Sequence, residues 1–439
     1  MRLKPLFIAL SLALAPVTEA ANLSAIYRDA QAYDAQYAAA RAALQAGREK
    51  AAQGRAGLLP SVNLGANLRY NSVDSSLAGG DTDFTSNGLA LTAAQPLYRR
   101  QNQVAYAQAK NQVKIAELQF KAAEQDLVLR VAQAYFDVLQ SQDNLAFIAA
   151  QKAAITEQLA AARRNFEVGT ATITDTHEAQ ARFDLAVAQE IAEQNTLNLR
   201  LRALEKLIGR PAGSLDVLVG DTILKAEAGN IDDWAQRAAE GNLQTEIQRI
   251  AKAIADQEVE RNRAGHHPTL DAVAGYTINN NQAFATQQID TRTASIGLEL
   301  NLPIYQGGLT SSRVREAVAN QEKARHDLDA AGREASLAAR QAWLNVNSGA
   351  ARVRALEQAL VSSKAQLAST KLGLSVGVRT NLDVLNAEQQ VLSARRDLAA
   401  ARYAYLLAGL ALKAAVGALD PADLAEIDRH LKPAQQAAR

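Results

Sequence analysis

The sequence predicts a mainly α protein with a small β part, written as two copies of one pattern. Three observations carry that expectation. Proline is scarce, 9 in 439 residues alongside 24 Gly, which favours long regular segments over several compact globules. Hydrophobic residues make up 48% but aromatics only 5%, and much of the rest is alanine, which suits thin helix-to-helix seams better than one thick core. Finally, apolar periodicity switches from helical to strictly alternating and back, twice along the chain.

At the N-terminus, Arg2 and Lys4 precede an apolar run from Leu6 to Ala15, and small residues follow to Ala20. This is the pattern of a secretory signal over 1–20, cleaved after Ala20. Its apolar run is about half of the ~20 residues a membrane-spanning helix needs. No later stretch reads as such a helix, since the best, Tyr403 to Leu412, is closed off by Lys413. The expectation is an exported chain with no helical membrane anchor.

The duplication comes next, because it sets the layout. Pro268 follows Pro60 by 208 positions (268 minus 60), and the same displacement joins Tyr135 to Trp343, Val168-Gly169 to Val376-Gly377, Asp175 to Asp383 and Gly209 to Gly417. Pro96 and Pro303 differ by one less, which implies a one-residue slip between the two pairs of prolines. The predicted layout is a first repeat over 21–209 with a β-hairpin at 58–97, and a linker over 210–241. A second repeat over 242–417 with its hairpin at 266–304 follows, then a tail over 418–439.

Within the first repeat, Ala21 to Ala56 reads as helix. From Ser61 to Asn71, Val62, Leu64, Ala66, Leu68 and Tyr70 share one face while Ser61, Asn63, Gly65, Asn67 and Arg69 share the other, as a strand with one apolar face requires. A Gly/Asp/Ser-rich loop, Asp74 to Asp83, separates it from a second alternating run through Leu89, Leu91 and Ala93. The second repeat has Leu270, Ala272, Ala274, Tyr276 and Ile278, then Ile296, Leu298, Leu300 and Leu302 against Ser295, Gly297, Glu299 and Asn301. Four strands in two hairpins result.

After each hairpin the helical period returns. The 68 residues from Leu309 to Val376 contain no proline, and at about 1.5 Å each they extend on the order of 100 Å. Val353, Leu356, Leu360, Leu367 and Leu374 in that run, and Val128, Val131, Tyr135, Val138 and Leu145 in the first, follow coiled-coil seam spacing. A helix from Leu382 to Ala415 folds back after the turn Val376-Gly377-Val378-Arg379-Thr380-Asn381.

Four strands cannot close a barrel, because membrane barrels begin at eight. Two copies of the chain supply eight strands; three supply twelve, with room for an aqueous lumen. The polar faces suit a wet interior and the apolar faces suit lipid. A soluble sandwich covered by helices is the alternative at this point.

Composition excludes several classes of function. Lys+Arg 47 against Asp+Glu 46 leaves a net charge of +1, with no global attraction for nucleic acid. The absence of Cys excludes thiolate metal sites, iron-sulfur clusters, thiol catalysis, disulfides and a lipid anchor through an N-terminal Cys. His177, His266, His267, His326 and His430 lack metal-ligand spacing. Asp232-Asp233 reads as the acidic start of a helix, not an acid-base pair. No catalytic constellation, metal site or cofactor is expected.

The motifs Leu58-Leu59-Pro60, His267-Pro268-Thr269-Leu270-Asp271, Leu302-Pro303-Ile304-Tyr305-Gln306-Gly307-Gly308, Val376-Gly377-Val378-Arg379-Thr380 and Ala401-Arg402-Tyr403-Ala404-Tyr405-Leu406 together resemble the TolC family of outer-membrane export ducts, in its non-lipidated branch. The resemblance covers the whole mature chain. It implies a homotrimer whose protomers each give four strands to one 12-stranded transmembrane β-barrel in the outer-membrane lipid, continuous with a long α-helical coiled-coil tunnel in the periplasm. Linker and tail would form a mixed equatorial girdle. It further implies a passive exit duct for type I protein secretion and/or drug efflux, opened at its periplasmic tip when its partners engage it. The partners would be a periplasmic adaptor (membrane fusion) protein and an inner-membrane ABC or proton-driven transporter. The competing reading is a periplasmic coiled-coil scaffold or adaptor without a pore, which would lack the two lipid-facing hairpins.

By the same resemblance, the helical hairpin tips form a periplasmic gate. Asp383 matches an aspartate ring at the constriction, Arg379 a linking arginine, and Thr174 and Asp175 its acceptors. Leu374 stands where relatives can have a linking tyrosine, and Asn386 where they can have a second aspartate ring. Gly169 and Gly377 mark the turns where an adaptor would dock, and Arg69, Asp271 and Glu299 are expected in the barrel lumen.

Overall fold

A computed structural model describes residues 22–75, 80–170, 172–218, 229–283 and 287–433. The expected signal segment, 1–20, lies outside them. The elements run α1 (Leu23–Tyr33), α2 (Ala35–Ala56), β1 (Ser61–Ser75), β2 (Gly80–Tyr98), α3 (Arg100–Glu167), α4 (Ile173–Ile208), β3 (Val217–Leu218), α5 (Ile231–Gly241), α6 (Leu243–Arg263), β4 (Thr269–Ala283), β5 (Gln287–Asn301), α7 (Leu309–Ser375), α8 (Asn381–Ala415), α9 (Ala422–Asp428) and β6 (Leu431–Lys432). The 208-residue displacement recurs in the starts of α1 and α5, α2 and α6, β1 and β4, and α4 and α8. Ile231–Gly241, assigned to the linker from sequence, is therefore the counterpart of α1 and opens the second repeat.

The chain divides into two compact units. One comprises Ala39–Ala123 and Ala235–Ala338. Its centre is an antiparallel sheet in the order β1-β2-β4-β5. Register places Leu64, Leu91, Tyr276 and Ala294 in one row, and Val62, Ala93, Ala274 and Ile296 in the next. Because side chains alternate across a strand, these rows build one apolar face across the middle of the sheet, which gives way to Arg292 opposite Ile278 and to Asn87, Asn280 and Asp290 in the row of Leu68. It is uncovered: Leu64 is 69% exposed, Leu298 70% and Ile296 90%. Asn63, Thr92, Gly275 and Ser295 form a row of the opposite, polar face. Both outer strands, β1 and β5, have one side unpaired in the single chain.

The strands outlast their apolar pattern. The stretch Asp74 to Asp83, expected as loop, holds the ends of β1 and β2, with Asp74 opposite Asp81, and the second hairpin likewise continues to pair Asn280 with Asp290. Backbone ladder bonds extend a nucleated pairing through polar residues, so hydrophobic alternation marks the middle of the strands and not their ends.

In the same unit, α2 lies close against α3. A Cβ on Gly54 would stand 2.6 Å from Ala109 Cβ and 3.3 Å from Tyr106 Cα, and one on Gly47 would meet Ala116 Cβ. Both pairs are seven residues apart, as in a heptad seam, and small residues let the backbones approach. Gln108 Nε2 donates to the Ile254 carbonyl and to Glu258 on α6, and Gln321 Nε2 donates to Asp256 at 2.9 Å.

The other unit comprises Met1–Ala38, Glu124–Trp234 and Ala339–Arg439. Leu127, Val131, Tyr135 and Phe136 of α3 are fully buried. The Phe136 ring stacks on Tyr403 at 5.4 Å, and the Tyr135 hydroxyl donates to the Asp216 carbonyl at 2.7 Å. Val353, Leu398 and Ala401 build the α7 to α8 seam. Linker and tail meet: β3 pairs with β6 through Val217 and Lys432. Asp428, at the end of α9, accepts the first amides of α1, Leu23 and Ser24, at 2.9 and 3.1 Å, as an anion at a helix N-terminus should.

Two further expectations change. Ala21 to Ala56 is not one helix. Asp34 interrupts it with extended backbone, caps α2 by accepting the Tyr37 amide, and takes both its oxygens to Arg130 of α3. That pairing holds the Asp34 carboxyl below the ordinary carboxylate range. And α8 contains a window long and apolar enough to cross a membrane, with mean hydropathy 1.2. Leucine and alanine together supply that hydropathy, and Leu385, Val391, Ala394, Leu398, Tyr403 and Leu410 are buried in the unit. Only 28% of that window is buried within the chain, so much of its apolar surface stays open.

Candidate functional site

The two helical hairpin tips have the same construction. α3 ends in a left-handed Gly169, φ +76°, and α7 in Gly377, φ +77°. In the first tip the Thr170 amide returns to the Asn165 carbonyl and the Gly169 amide to Phe166; in the second, Val378 returns to Gly373 and Gly377 to Leu374. These are paired closing bonds of a Schellman motif, whose left-handed residue costs glycine nothing. Three residues on, a capping box starts the return helix. Thr172 N–H and Oγ1–H donate to Asp175 Oδ2 at 2.9 and 3.0 Å, and the Asp175 amide donates back to Thr172 Oγ1 at 3.3 Å. Thr380 and Asp383 repeat the box at 2.9, 2.9 and 3.2 Å.

Within one chain these bonds make Asp175 and Asp383 helix caps. The Thr380 backbone N–H, its hydroxyl and the nearby Arg379 charge hold the Asp383 carboxyl below the ordinary carboxylate range. Asn386 is exposed one turn further along α8. Asp175 and Leu374 come together as walls of one cleft of about 770 Å³ between the tips, with Thr170, Glu178, Thr380 and Glu388. Arg379 does not join them. Among the described residues no ion pair or hydrogen bond links it to Thr174 or Asp175, and its side chain lies against Gly373, where a Cβ would come within 2.7 Å of Arg379 Cγ. Thr174 is exposed. An aliphatic Leu374 has no hydroxyl to offer Asp175.

Sequence reasoning missed both capping threonines, although Thr-x-x-Asp before an apolar run is their signal. It also missed a pair of cross-hairpin links, Arg163 to Gln180 at 2.7 Å and Lys371 to Glu388 at 2.7 Å, which occupy positions 208 apart.

On the sheet, Arg69, Asp271 and Glu299 all belong to the polar face, with Asp271 directly opposite Glu299. Arg69 and Glu299 are exposed, whereas Asp271 is 7% exposed. Arg99, just past β2, grips it through two hydrogen bonds, Nε to Oδ1 at 2.8 Å and Nη2 to Oδ2 at 2.6 Å. Asp271 thus clamps the joint between β2 and α3 from the neighbouring strand, a role that needs the folded register to be seen. Tyr98 and Tyr305 flank the same end of the sheet, 38% and 86% exposed. No group of His, Asp and Glu among the described residues has metal-site geometry.

Comparison with known proteins agrees with this architecture. The chain matches the family described as outer membrane efflux protein twice, over residues 26–210 and 234–418, two segments displaced by the same 208 residues. It is 36% identical to the outer membrane protein TolC of Vibrio cholerae over 99% of this chain and 100% of that one. It is 33% identical to the proteases secretion protein PrtF of Dickeya chrysanthemi over 90% of this chain and 87% of the relative. Among solved structures, the Campylobacter jejuni CmeC outer membrane channel superposes with a TM-score of 0.77 at 16% identity, covering 94% of this chain and 90% of that one.

Proposed function

The chain belongs to the outer membrane efflux protein family, and from that premise we propose that it is the trimeric exit duct of a three-part export machine. It is an outer-membrane protein, with its helical hairpins in the periplasm. The observation that carries the reading is the sheet: a solvent-exposed apolar face across the middle of all four strands, a polar opposite face, and two unpaired outer strands. In lipid every backbone polar group must be bonded, so an open sheet has to close. Three chains close it with twelve strands around a wet lumen, into which Arg69, Asp271 and Glu299 face.

The duct is passive and does no covalent chemistry. Its periplasmic end is gated by the hairpin tips, where three Asp383 carboxylates surround the constriction and Arg379 of one hairpin reaches Thr174 and Asp175 of another in the closed assembly. An adaptor docks at the Gly169 and Gly377 turns, where Val168, Val376 and Val378 are left exposed. An inner-membrane ABC or proton-driven transporter supplies cargo and energy. A family described by efflux and a relative named for protease secretion support a duct for protein secretion, efflux or both.

The test is to fractionate cells expressing the full chain and reconstitute the product in planar bilayers. Outer-membrane recovery with discrete ion-conducting steps is expected. A soluble periplasmic product that conducts no current would overturn the reading in favour of a scaffold.

A further inference from the structure

Neighbouring residues of α8 hold two different helices. Arg402 Nη2 donates to Glu357 on α7 at 2.7 Å, inside the second hairpin. Tyr403, about 100° further around the helix, donates its hydroxyl to Asp143 Oδ2 on α3, also at 2.7 Å, and so ties the second hairpin to the first. The ion pairs Lys152 to Glu190, Arg402 to Glu357 and Lys371 to Glu388 each stay within one hairpin.

The tie is rigidly held at one end. Tyr403 is 5% exposed, and its ring is stacked on Phe136, which meets Tyr135 edge-on. At the other end, Asp143 has no cation within ion-pair distance among the described residues. The charged and titratable groups around it are otherwise engaged. Arg402 is committed to Glu357, with its Nε buried and without a hydrogen-bond partner. Glu193 of α4 accepts from Asn144. The Tyr135 hydroxyl donates to the Asp216 carbonyl. Burial raises the Asp143 carboxyl above its ordinary range, and the Tyr403 bond offsets this only in part.

We propose that Asp143 and Tyr403 form a proton-dependent hinge between the two helical hairpins, closed when Asp143 is protonated and loosened when it ionises. The hydroxyl donates to either form of the carboxyl, but the half-buried seam leaves the ionised form short of water. The sign follows: the closed seam binds the proton more tightly than an opened one, so its stability is fully present below the ordinary carboxylate range and is lost as pH rises through the raised value. The inference rests on the duct reading above, in which the hairpin tips gate the periplasmic end. Asp143 and Tyr403 are positioning residues and touch no cargo.

The experiment records open probability of the full chain in planar bilayers from about pH 5 to about pH 8. Wild-type opening should rise with pH, on the order of tenfold for each unit by which the carboxyl pKa differs between closed and open seams. Asp143→Asn should stay flat at the low-pH level, and Tyr403→Phe, which keeps the ring stack, should open more at every pH. A flat wild-type profile, or an Asp143→Asn profile that superimposes on a rising wild type, overturns the hinge while leaving the duct intact. Thermal unfolding of the same proteins provides a readout that needs no pore. The wild-type midpoint should fall over this range relative to Asp143→Asn, and parallel midpoints would overturn the hinge even if no channel formed.

Discussion

Asp383 carries the most exposed part of the functional argument, because its carboxylate is both a helix cap and a candidate constriction charge. The Thr380 bonds keep it ionised below the usual carboxylate range, so its cap strengthens above that lowered value and is lost as pH falls through it. In the proposed trimer, three such carboxylates would surround one axis and attract multivalent cations, an attraction that salt screens. Asn386 contributes no second ring, so block by a trivalent cation should be weak in the wild type. It should be tighter in Asn386→Asp and absent in Asp383→Asn. Persistent block in Asp383→Asn recordings would remove Asp383 from the constriction. Thr172→Ala deletes the matching cap in the first hairpin, at a cost of about 0.5 to 2 kcal/mol, visible as faster amide exchange in the first turn of α4. Arg379→Ser should raise resting conductance if the latch forms in the assembly, whereas unchanged conductance leaves Arg379 only as the positive charge beside Asp383. The residues at these tips were legible from the duplicated Val-Gly and Asp positions. The bonds were not, because Asp175 and Asp383 are satisfied by their own caps before any distant partner is considered.

At the scale of elements, the alternation of the four strands was legible in their middles, where one face must be apolar, and illegible at their ends. The break at Asp34 was hidden for a different reason: the local sequence is helical, and Arg130, nearly a hundred residues away, supplies the partner that stabilises the interruption. The face assignment makes a paired prediction. Leu298→Arg puts a charge on the apolar face and should cost about 2 to 4 kcal/mol if it lies near the bilayer midplane, read as loss of assembled protein in the outer membrane. Glu299→Arg, one residue along and on the polar face, should assemble normally. Equal yields from the two would contradict the orientation of the sheet. Helix contact is testable at Gly54, where Ala109 Cβ, with the Tyr106 backbone close behind, leaves no room for a side chain. Gly54→Leu should lose about 1 to 3 kcal/mol by overpacking, measured as a lower unfolding midpoint.

For the whole molecule, the duplication was the strongest signal in the sequence, and the two family matches repeat its displacement. The sequence did not reveal that α5 opens the second repeat, because its amphipathic pattern carries no match as distinctive as the prolines. Nor did it reveal the β3 to β6 pairing, where two short strands from distant segments have too few residues for a periodic signal. Both gaps concern how segments far apart in sequence meet, and a single chain's local pattern holds little information about that. The same logic extends beyond one chain: four strands with unpaired edges and an apolar face do not complete a membrane structure alone. The most direct measurement is the number of chains per particle, by native mass spectrometry of protein extracted from the outer membrane in mild detergent. Three chains per particle is the predicted result. A single chain, stable and folded on its own, would contradict the account.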